Sequence, residues 1–339
     1  MKFWIDIKNS HEPLFFKSVN SNFPDFQYYF TCRDFAEITD LLENYKINFK
    51  IIGSRPEGSL LKRRLGFLDR TLKLLVNVPD FDVSLNHWSI WSIFISWLKS
   101  KPSIVFNDND INPINFSSIF TGMITYLLTP KFISEDYYVK QGLDPTRIFQ
   151  YDGFKENIYI ADYVPDSDFN SQIPFDDYVT IRAENTQALY YGNNIKTIVP
   201  ELITKFNTEG IGVVFLPRYA SDKELANNQN GVFIPKKGLN GLDLCYHSRA
   251  VLTGAGTFSR EAAIIGSCAV SFFGGQKLLS VDKEMIKRKW VFHSRSPDSI
   301  IDHVKNHQKK EFDNTKSKLV KSQIKKIMSK IMEIEFKNK

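Results

Sequence analysis

The sequence predicts an α/β fold with two doubly wound, Rossmann-like domains. Short apolar runs alternate with helix-like stretches in both halves of the chain, and this alternation is typical of consecutive βαβ units around a parallel sheet. The chain has 339 residues, more than one hydrophobic core ordinarily needs, so two domains of about 150 residues each are expected. With 42% hydrophobic and 24% charged residues, the chain can bury a sizeable core, which excludes a mainly disordered protein.

The first domain is expected over residues 1–165. Residues 116–128 form a long apolar run, as do residues 88–98. Both runs are shorter than the roughly 20 residues that span a bilayer, so both predict buried helices. An apolar face that rests on a membrane is the alternative. The other predicted elements are strands at 2–7, 26–31, 49–52, 83–86 and 103–106, and helices at 13–22 and 36–45.

A linker is predicted at residues 166–177, where the chain becomes polar, contains proline and loses its period. The second domain is expected over residues 178–310 and repeats the alternation, so that two Rossmann-like domains would face a central cleft. Its predicted elements are strands at 178–181, 212–216, 232–234, 250–253 and 269–272, and a helix at 195–207.

Residues 311–339 are expected to form a basic amphipathic helix, because lysines are interleaved there with apolar residues at helical spacing. Two interpretations stay open for this helix. Its apolar stripe packs against one of the domains, or the basic helix attaches to a membrane. The apolar positions are Val320, Ile324, Ile327, Met328, Ile331 and Ile334.

Charge and cysteine content limit the class of protein. The net charge of +6 owes much to the C-terminal lysines, and the chain has no RNA-binding signature, so no nucleic-acid partner is expected. Cys32, Cys245 and Cys268 lie far apart and none belongs to a CxxC pair, so neither disulfides nor a structural metal site is indicated. The N-terminus reads as a strand and not as an export signal. A cytoplasmic protein is expected, with peripheral contact at the inner face of the membrane as the alternative.

The strongest functional signal follows the predicted strand at 250–253. Small residues form a turn there and open a helix, so that N–H groups and the positive end of the helix dipole can face phosphates. Thr257 and Ser259 can add hydroxyl donors, and the Glu261 carboxylate can accept both hydroxyls of a ribose. The alternative is a helix start whose glycines only permit close packing. The predicted binding residues are Gly254, Ala255, Gly256, Thr257, Ser259, Arg260 and Glu261.

Four further residues are predicted to bind the nucleotide. Arg182, in a stretch with Glu184, can clamp a diphosphate because a guanidinium binds two phosphate oxygens at once. An ion pair between these two residues is the alternative. Arg218 follows a strand at the carboxyl edge, where doubly wound sheets bind ligands, although a solvated loop arginine also fits. Lys277 follows two glycines and can approach the donor sugar or phosphate, although a simple turn explains the glycines as well.

The catalytic candidates lie in the first domain. His11 follows the first strand, and an imidazole suits proton transfer near neutral pH. A capping role for Ser10 beside an exposed His11 is the alternative. Asp108 and Asp110 follow the predicted strand at 103–106 and are the other candidate bases. His87, His247 and His293 show no ligand-like spacing, so core or surface positions are expected for them.

Several motifs resemble a prokaryotic family known as domain of unknown function 354. Because this family is grouped with GT-B glycosyltransferases and with non-hydrolysing UDP-N-acetylglucosamine 2-epimerases, the resemblance implies a GT-B-like fold. The turn at 254–261 and the following residues look like the second lobe of GT-B enzymes. The motifs that carry the family resemblance span nearly the whole chain and lie at residues 5–16, 31–34, 106–110 and 151–156.

The resemblance also implies roles for particular residues. In GT-B enzymes, the glutamate at the place of Glu261 holds the ribose and the small residues before it hold the diphosphate. Residues 180–185 resemble the epimerases' His-Arg-Arg-Glu-Asn stretch, but Ile181 stands where those enzymes carry the histidine. Asp110 lies near the place of an epimerase glutamate. GT-B enzymes generally need no metal, so neither a metal nor another cofactor is implied.

These observations together predict a metal-independent, inverting glycosyltransferase. It would move a sugar from a nucleoside diphosphate donor, expected to be UDP-linked, to an acceptor such as a lipid-linked or surface-glycan precursor. His11, Asp108 or Asp110 would act as the base. The alternatives are a nucleotide-sugar epimerase similar to the UDP-N-acetylglucosamine 2-epimerases and a non-catalytic nucleotide-sugar-binding protein.

Overall fold

The structure is a computed structural model that describes residues 1–34, 38–54, 60–111, 118–184, 196–227 and 229–336. The chain divides into two compact units. Unit 1 comprises Met1–Tyr159 with Ser317–Lys339, and unit 2 comprises Ile160–Lys316. The predicted linker at 166–177 falls within unit 2 in this division, and the boundaries drawn from the sequence stay predictions. Among the described helices, none has the length and apolarity that a bilayer-spanning segment needs.

Unit 1 is built around a parallel sheet that has seven strands within the described residues, in the order β3-β2-β1-β4-β5-β6-β7. The chain runs outward from β1 to β3 on one side and then crosses to β4 on the other side of β1. The topological switch point therefore lies between β1 and β4. The strands are β1 (Lys2–Ile7), β2 (Gln27–Asp34), β3 (Phe49–Ser54), β4 (Val83–Asn86), β5 (Ser103–Phe106), β6 (Tyr126–Pro130) and β7 (Ile148–Tyr151).

Helices connect these strands, as a parallel sheet requires. The central strand β1 is buried from Phe3 to Ile7, and an apolar cluster around Trp4, Leu74 and Ile95 fills the space between the sheet and its helices. The helices are α1 (Glu12–Asn20), α2 (Ile38–Asn44), α3 (Leu60–Asn77), α4 (Ile90–Leu98), α5 (Asp136–Val139) and α6 (Lys155–Ile160).

One predicted buried helix in this unit is wrong. The described part of the apolar run at 116–128 forms a short 3-10 helix, Ser118–Met123, and then enters strand β6. All five residues of β6 are buried beside β5, and a strand buried on both faces shows the same continuous apolarity as a buried helix. The run at 88–98 does form a helix, α4. Its N-cap residue is Ser89, whose side-chain oxygen accepts a hydrogen bond from the Ser92 N–H.

Unit 2 repeats the architecture with a parallel sheet that has six strands in the described part of the chain, in the order β10-β9-β8-β11-β12-β13. Its switch point lies between β8 and β11, because β9 and β10 extend to one side of β8 and β11 lies on the other. The strands are β8 (Tyr178–Arg182), β9 (Gly212–Leu216), β10 (Val232–Phe233), β11 (Ala250–Thr253), β12 (Cys268–Ser271) and β13 (Val291–His293).

Apolar residues of the strands and of two helices form the core of unit 2, with Ile181, Val213, Leu252 and Val270 completely buried. The helix predicted at 195–207 begins later, at Val199, with Pro200 in its first turn, where the missing N–H of proline does no harm. The helices of this unit are α7 (Val199–Thr208), α8 (Gly241–His247), α9 (Gly256–Ile265), α10 (Ser280–Lys287) and α11 (Pro297–Asn306).

The C-terminal helix α12 (Thr315–Phe336) packs within unit 1. Its residue Val320 lies against Gly153, where a Cβ atom would come within 2.4 Å of the valine Cγ2. The Tyr126 hydroxyl donates to Glu335 Oε1 at 2.7 Å and fixes the far end of the helix. Packing against a domain, one of the two interpretations that the sequence left open, therefore describes most of the apolar stripe, but Ile334 is 55% exposed. The buried residues of α12 are Ser317, Val320, Ile324, Met328, Ile331 and Met332.

Candidate functional site

The predicted nucleotide turn lies at the switch point of unit 2. It follows β11, whose neighbour on this side is β8, and the Gly254 N–H donates to the Arg182 carbonyl at 3.4 Å. Open parallel sheets bind ligands at the carboxyl ends of the strands, in the crevice where the strand order reverses. The turn and Arg182 thus occupy the part of the unit 2 sheet where a ligand is expected.

Helix α9 begins directly at this turn. Its N-cap residue, Ala255, is extended and makes no side-chain capping bond, so no cap side chain occupies the N–H groups of the first turn. The Ala255 N–H donates to Thr253 Oγ1 at 3.0 Å, and the Ser259 hydroxyl donates to the Gly256 carbonyl at 2.8 Å. The turn therefore presents a helix N-terminus with its positive dipole end at the switch point.

Close packing also explains both glycines of the turn. A Cβ atom on Gly254 would lie 2.3 Å from Glu184 Cγ and 2.8 Å from the Glu184 Cα. On Gly256, a Cβ atom would lie 2.5 Å from Arg260 Nη1 and 2.7 Å from Asp282 Oδ1. Real Cβ atoms do not make contacts this short, so a side chain at Gly254 would force the backbone to move, and one at Gly256 would displace the Arg260 and Asp282 side chains.

Arg260 lies beneath the turn. Its side chain is buried and forms an ion pair with Asp282, and its Nη2 donates to Thr257 Oγ1 at 3.3 Å. These contacts tie the first turn of α9 to α10. Glu261, the next residue, is half-buried. Burial of the Cys245 thiol, and to a smaller extent the negative charge of Glu261, raises the pKa of this thiol well above its usual value.

Arg182 and Arg218 lie at the ends of neighbouring strands and are both half-buried. Arg218 Nε donates to the Ala183 carbonyl at 3.5 Å, and its backbone N–H donates to Asp222 Oδ2 at 2.8 Å. Glu184 is buried, accepts a hydrogen bond from Thr197 Oγ1 at 2.7 Å, and meets Arg295 Nη1 at 3.6 Å.

Lys277 is the last of the predicted binding residues of unit 2. Lys277 is exposed in the segment between β12 and α10, and Asn185 of the Arg-Ala-Glu-Asn stretch lies outside the described residues. Sequence reasoning missed Arg295, which follows β13 and donates to the Phe272 and Lys196 carbonyls, each at 2.6 Å. The signal was weak because β13 has only three residues.

A second group of polar side chains lies at the switch point of unit 1. His11 follows β1, His87 follows β4, and their rings meet edge to face with centroids 5.2 Å apart. Asp108 follows β5, and its Oδ1 lies 3.5 Å from His87 Nε2. Its Oδ2 accepts a hydrogen bond from the Lys155 ammonium at 2.7 Å. The structure thus brings His11 and Asp108, two of the three predicted catalytic residues, into one group.

Burial shifts the protonation equilibria of this group. Burial, the Lys155 charge and His87 together hold the pKa of His11 well below 6.5, and burial also lowers the pKa of His87. Burial raises the pKa of Glu12 to about 7. His11 Nε2 is buried and has no hydrogen-bond partner among the described residues, whereas His87 Nε2 faces Asp108 Oδ1. Two neutral imidazoles and a carboxyl that titrates near neutral pH are suited to proton transfer.

Sequence reasoning identified only part of this group. Asp110, the third predicted catalytic residue, is half-buried beside Tyr137, whose pKa is raised by burial and further by the Asp110 charge. His87 was expected to be an ordinary core or surface histidine, and Lys155, which begins α6, was not predicted. Both lie at the carboxyl edge of the sheet, and only the strand order shows that β4 and β1 are neighbours.

His11, Glu12 and His87 each offer a metal ligand atom, and these atoms lie within 4.8 Å of one another. Both Glu12 oxygens, however, already accept hydrogen bonds, from the Lys8 N–H at 2.8 Å and from Asn9 Nδ2 at 2.7 Å. The Lys8 and Lys155 ammonium groups also contribute electrostatically at His11. These contacts favour an acid–base role for the group over metal binding.

A family model described as "Protein of unknown function (DUF354)" matches residues 1–335. The chain belongs to this family. The DUF354 chain is 26% identical to the uncharacterized protein MJ0665 of Methanocaldococcus jannaschii over 317 residues, which cover 90% of this chain and 91% of that protein. Membership confirms the family resemblance that the motifs predicted.

Solved structures show the same fold at low sequence identity. A UDP-GlcNAc 2-epimerase from Neisseria meningitidis, bound to UDP-GlcNAc, matches with a TM-score of 0.74 at 12% identity, over 98% of this chain and all of that one. The corresponding enzyme from M. jannaschii gives 0.70 at 14% identity, over 97% and 100% of the two chains. The Anabaena protein HepE, in complex with UDP and glucose, gives 0.62 at 13%, over 98% and 99%. The DUF354 chain therefore has a GT-B-like fold, as predicted.

Proposed function

We propose that the chain is a GT-B-type glycosyltransferase that uses a nucleoside diphosphate sugar, with UDP as the expected nucleotide. The observation that carries the proposal is the turn at Gly254, which places the N-terminus of α9 at the switch point of unit 2 beside Arg182. A helix dipole and an arginine suit a diphosphate, and the Glu261 carboxylate suits the two ribose hydroxyls. Structures of the same fold that are described with UDP or UDP-GlcNAc bound support this assignment.

Unit 1 would supply the base for the transfer. The acceptor hydroxyl attacks the anomeric carbon as the bond to the diphosphate oxygen breaks, and the hydroxyl proton passes to His11 Nε2. This nitrogen suits the role because the imidazole is neutral and the nitrogen is buried without a hydrogen-bond partner among the described residues. The Asp108 carboxylate would stabilise the resulting imidazolium, whereas the Lys155 ammonium opposes it and is held by Asp108. The leaving diphosphate keeps the bonding electrons, and α9, Arg182 and Arg218 would stabilise it without a metal ion.

Epimerisation of a nucleotide sugar is the second candidate. The full-length similarity to UDP-GlcNAc 2-epimerases and the Arg182-Ala183-Glu184 stretch favour it. Ile181 argues against it, because this side chain stands where those enzymes carry a histidine and is completely buried in the unit 2 core. An apolar side chain in a core cannot transfer a proton.

Nucleotide binding is tested by calorimetric titration and thermal shift with UDP and UDP-sugars. We expect UDP to raise the melting temperature, because it binds only the folded protein. Glu261→Gln should weaken UDP binding roughly 10- to 100-fold, since it removes hydrogen bonds to a charged group. Glu201→Gln, at an exposed position of α7 in the same unit, is the control and should bind as the wild type does. No stabilisation by any nucleotide would refute the proposal.

The reaction is tested by incubating the protein with UDP-GlcNAc alone and following the sugar by NMR. Formation of the 2-epimer without an acceptor would refute glycosyl transfer and establish the second candidate. UDP release that depends on an added lipid-linked or glycan acceptor would support transfer. His11→Ala should then lower kcat by roughly 10²- to 10⁴-fold with little change in UDP affinity, as expected for loss of a general base.

Peripheral contact with the cytoplasmic face of a membrane is the remaining part of the proposal. Leu65, Leu68, Leu72 and Val76 recur along one face of α3, and their side chains are 57% to 85% exposed. An exposed apolar stripe of this kind suits contact with lipid. Co-sedimentation with anionic vesicles should fall in Leu72→Glu, whereas equal co-sedimentation of variant and wild type would contradict the contact.

A further inference from the structure

Unit 2 contains a second cluster of side chains that could hold a metal ion. Cys268, His303 and His307 each contribute one ligand atom, and the three atoms lie within 4.8 Å of one another. The cluster involves none of the residues assigned to nucleotide binding. In the sheet, Cys268 pairs with Ala250 at the start of β11, whereas the nucleotide turn follows the end of β11. The cluster therefore lies at the opposite edge of the same sheet.

The secondary structure places these three residues together. Cys268 is the first residue of β12 and is completely buried. His303 lies in the last turn of α11, and His307 is the C-cap residue of the same helix. Two histidines four residues apart on a helix lie on one face, which is a common arrangement of two zinc ligands.

A backbone hydrogen bond and a ring-stacking contact hold β12 and α11, which carry the cluster, in place. The Lys310 N–H donates to the Gly266 carbonyl at 3.1 Å and joins the chain after His307 to the turn before Cys268. The His303 ring stacks on Phe292, with centroids 4.1 Å apart and planes within 10° of parallel. A site whose ligands are held in this way needs little reorganisation to bind an ion.

Within the part of the chain that the structure describes, two of the three side chains have a polar atom without a hydrogen-bond partner. His307 Nε2 is buried without a hydrogen-bond partner, and the Cys268 thiol is free and has no hydrogen-bond partner among the described residues. A buried polar atom without a partner is rare, and an ion that the structure does not contain is one of its ordinary explanations. The hydrophobic core alone does not account for a thiol and two imidazoles that converge on one point.

We propose that Cys268, His303 and His307 bind one zinc ion that links β12 to α11. A thiolate and two imidazoles are sulfur and nitrogen donors of the kind that bind Zn²⁺, with bonds of about 2.3 Å to sulfur and about 2.0–2.1 Å to nitrogen, and water would fill the fourth position of the tetrahedron. On binding, the thiol loses its proton to solvent and the ion gains a thiolate, with no change of oxidation state.

The cysteine spacing alone indicates no such site, because none of the three cysteines belongs to a CxxC pair. Here the single cysteine lies more than thirty residues before the His-x₃-His pair, and only the fold brings them together. The ion would stabilise unit 2 and take no part in sugar chemistry, so the inference is independent of the proposed function.

The test uses the full chain, stripped of metal with a chelator and then titrated with Zn²⁺ or Co²⁺. We expect one zinc per chain by elemental analysis after gel filtration. Co²⁺ should give visible bands of tetrahedral geometry and a thiolate-to-cobalt charge-transfer band in the near ultraviolet. At a hundredfold excess over Kd, Zn²⁺ should raise the melting temperature by roughly 5–10 °C.

Variants decide whether these three residues hold the ion. Cys268→Ala should abolish the charge-transfer band, and His303→Gln and His307→Gln should each weaken Zn²⁺ binding at least tenfold. Because Cys268 is buried and its replacement could impair folding, the two histidine variants carry the test independently. Cys245→Ala, which removes a buried thiol outside the cluster, should keep one zinc per chain. Absence of zinc from the wild type, or equal binding in the histidine variants, would overturn the proposal.

Discussion

At the scale of single residues, the buried charge of Asp6 shows how unit 1 fixes its central strand. Both oxygens of this carboxylate are paired with the Arg70 guanidinium, at 2.7 and 3.0 Å, and the Ser89 and Thr31 hydroxyls also donate to them. Burial alone would raise the pKa of Asp6, but Arg70 and the two hydroxyls lower it below 3.8. Asp6 is therefore ionised, and its pairing joins β1, β2, α3 and α4.

We predict that Asp6→Asn destabilises unit 1 by about 3–5 kcal/mol, because it leaves the Arg70 charge buried without its partner. Urea unfolding followed by circular dichroism measures the effect. The control is Asp69→Asn, which breaks the exposed Lys73–Asp69 pair and should change stability by less than about 0.5 kcal/mol. Similar losses in the two variants would contradict this account.

The depressed pKa of His11 makes stability depend on pH. Below pH 6.5 the unfolded chain protonates this imidazole while the folded protein keeps it neutral, so the unfolded state binds more protons and the free energy of unfolding decreases as the pH is lowered. We predict that His11→Gln loses less stability than the wild type between pH 8 and pH 5, measured by urea midpoints. An equal loss in His11→Gln would rule out a buried neutral imidazole.

Single-residue chemistry was the least predictable part of the molecule. His11 and Asp108 were recognised because each follows an evident strand. The sequence offered no reason to join them to His87 and Lys155, which lie 76 and 144 positions beyond His11 in the chain. Only the order of parallel strands determines such neighbours, and apolar periodicity does not reveal that order.

At the scale of elements, the turn between β11 and α9 has a packing role whether or not it binds a nucleotide. We predict that Gly254→Ala destabilises unit 2 by about 1–3 kcal/mol, because the added Cβ would overlap Glu184. Gly238→Ala, where no atom lies within 4 Å of the new Cβ, is the control and should stay within about 0.5 kcal/mol of the wild type. Melting temperatures measure both variants, and a neutral Gly254→Ala would show that the turn is not tightly packed.

The C-terminal helix offers a similar comparison between two of its faces. Ile324 is completely buried, whereas Leu319 on the same helix is 61% exposed. We predict that Ile324→Ala costs unit 1 about 2–5 kcal/mol, through lost burial and the cavity that remains. Leu319→Ala should cost less than about 0.5 kcal/mol. Equal effects in urea unfolding would mean that α12 does not pack on unit 1 in solution.

The accuracy of the predicted strands and helices varied, and the length of each strand explains much of this variation. Strands β1, β9 and β11 were predicted closely because each is an apolar run bounded by polar or turn residues. Strand β6 was mistaken for part of a helix, and β13 was missed because three residues show no period. Helices α9 and α12 were predicted because a turn of small residues and a long amphipathic stripe are distinct signals.

At the scale of the whole molecule, two parallel sheets and a GT-B-like fold could be predicted from alternation together with the family resemblance. The order of the strands could not be predicted, because two parallel strands that are neighbours in a sheet can be separated by any length of chain that is long enough for a crossover connection. The discontinuity of unit 1 could not be predicted either. An amphipathic stripe indicates that a helix packs, but it does not indicate what the helix packs on.

We predict that removing residues 315–339 exposes apolar surface on unit 1, because α12 contributes six buried residues to it. Binding of the dye ANS should rise, and the melting temperature should fall. The variant Leu319→Ala, at an exposed position of α12, is the control and should bind ANS as the full chain does. Unchanged dye binding in the longer truncation would contradict the packing of α12.

Because unit 1 is completed by residues that follow the whole of unit 2, the order of synthesis matters. On the ribosome the seven strands emerge first, and Gly153 stays uncovered until Val320 arrives more than 160 residues later. At translation rates of about 5–20 residues per second, this interval lasts roughly 8–30 seconds. In the nascent protein, the surface of unit 1 that α12 covers in the folded protein is therefore exposed to solvent for many seconds. Chaperones would bind the protein at this stage, when unit 1 is incomplete.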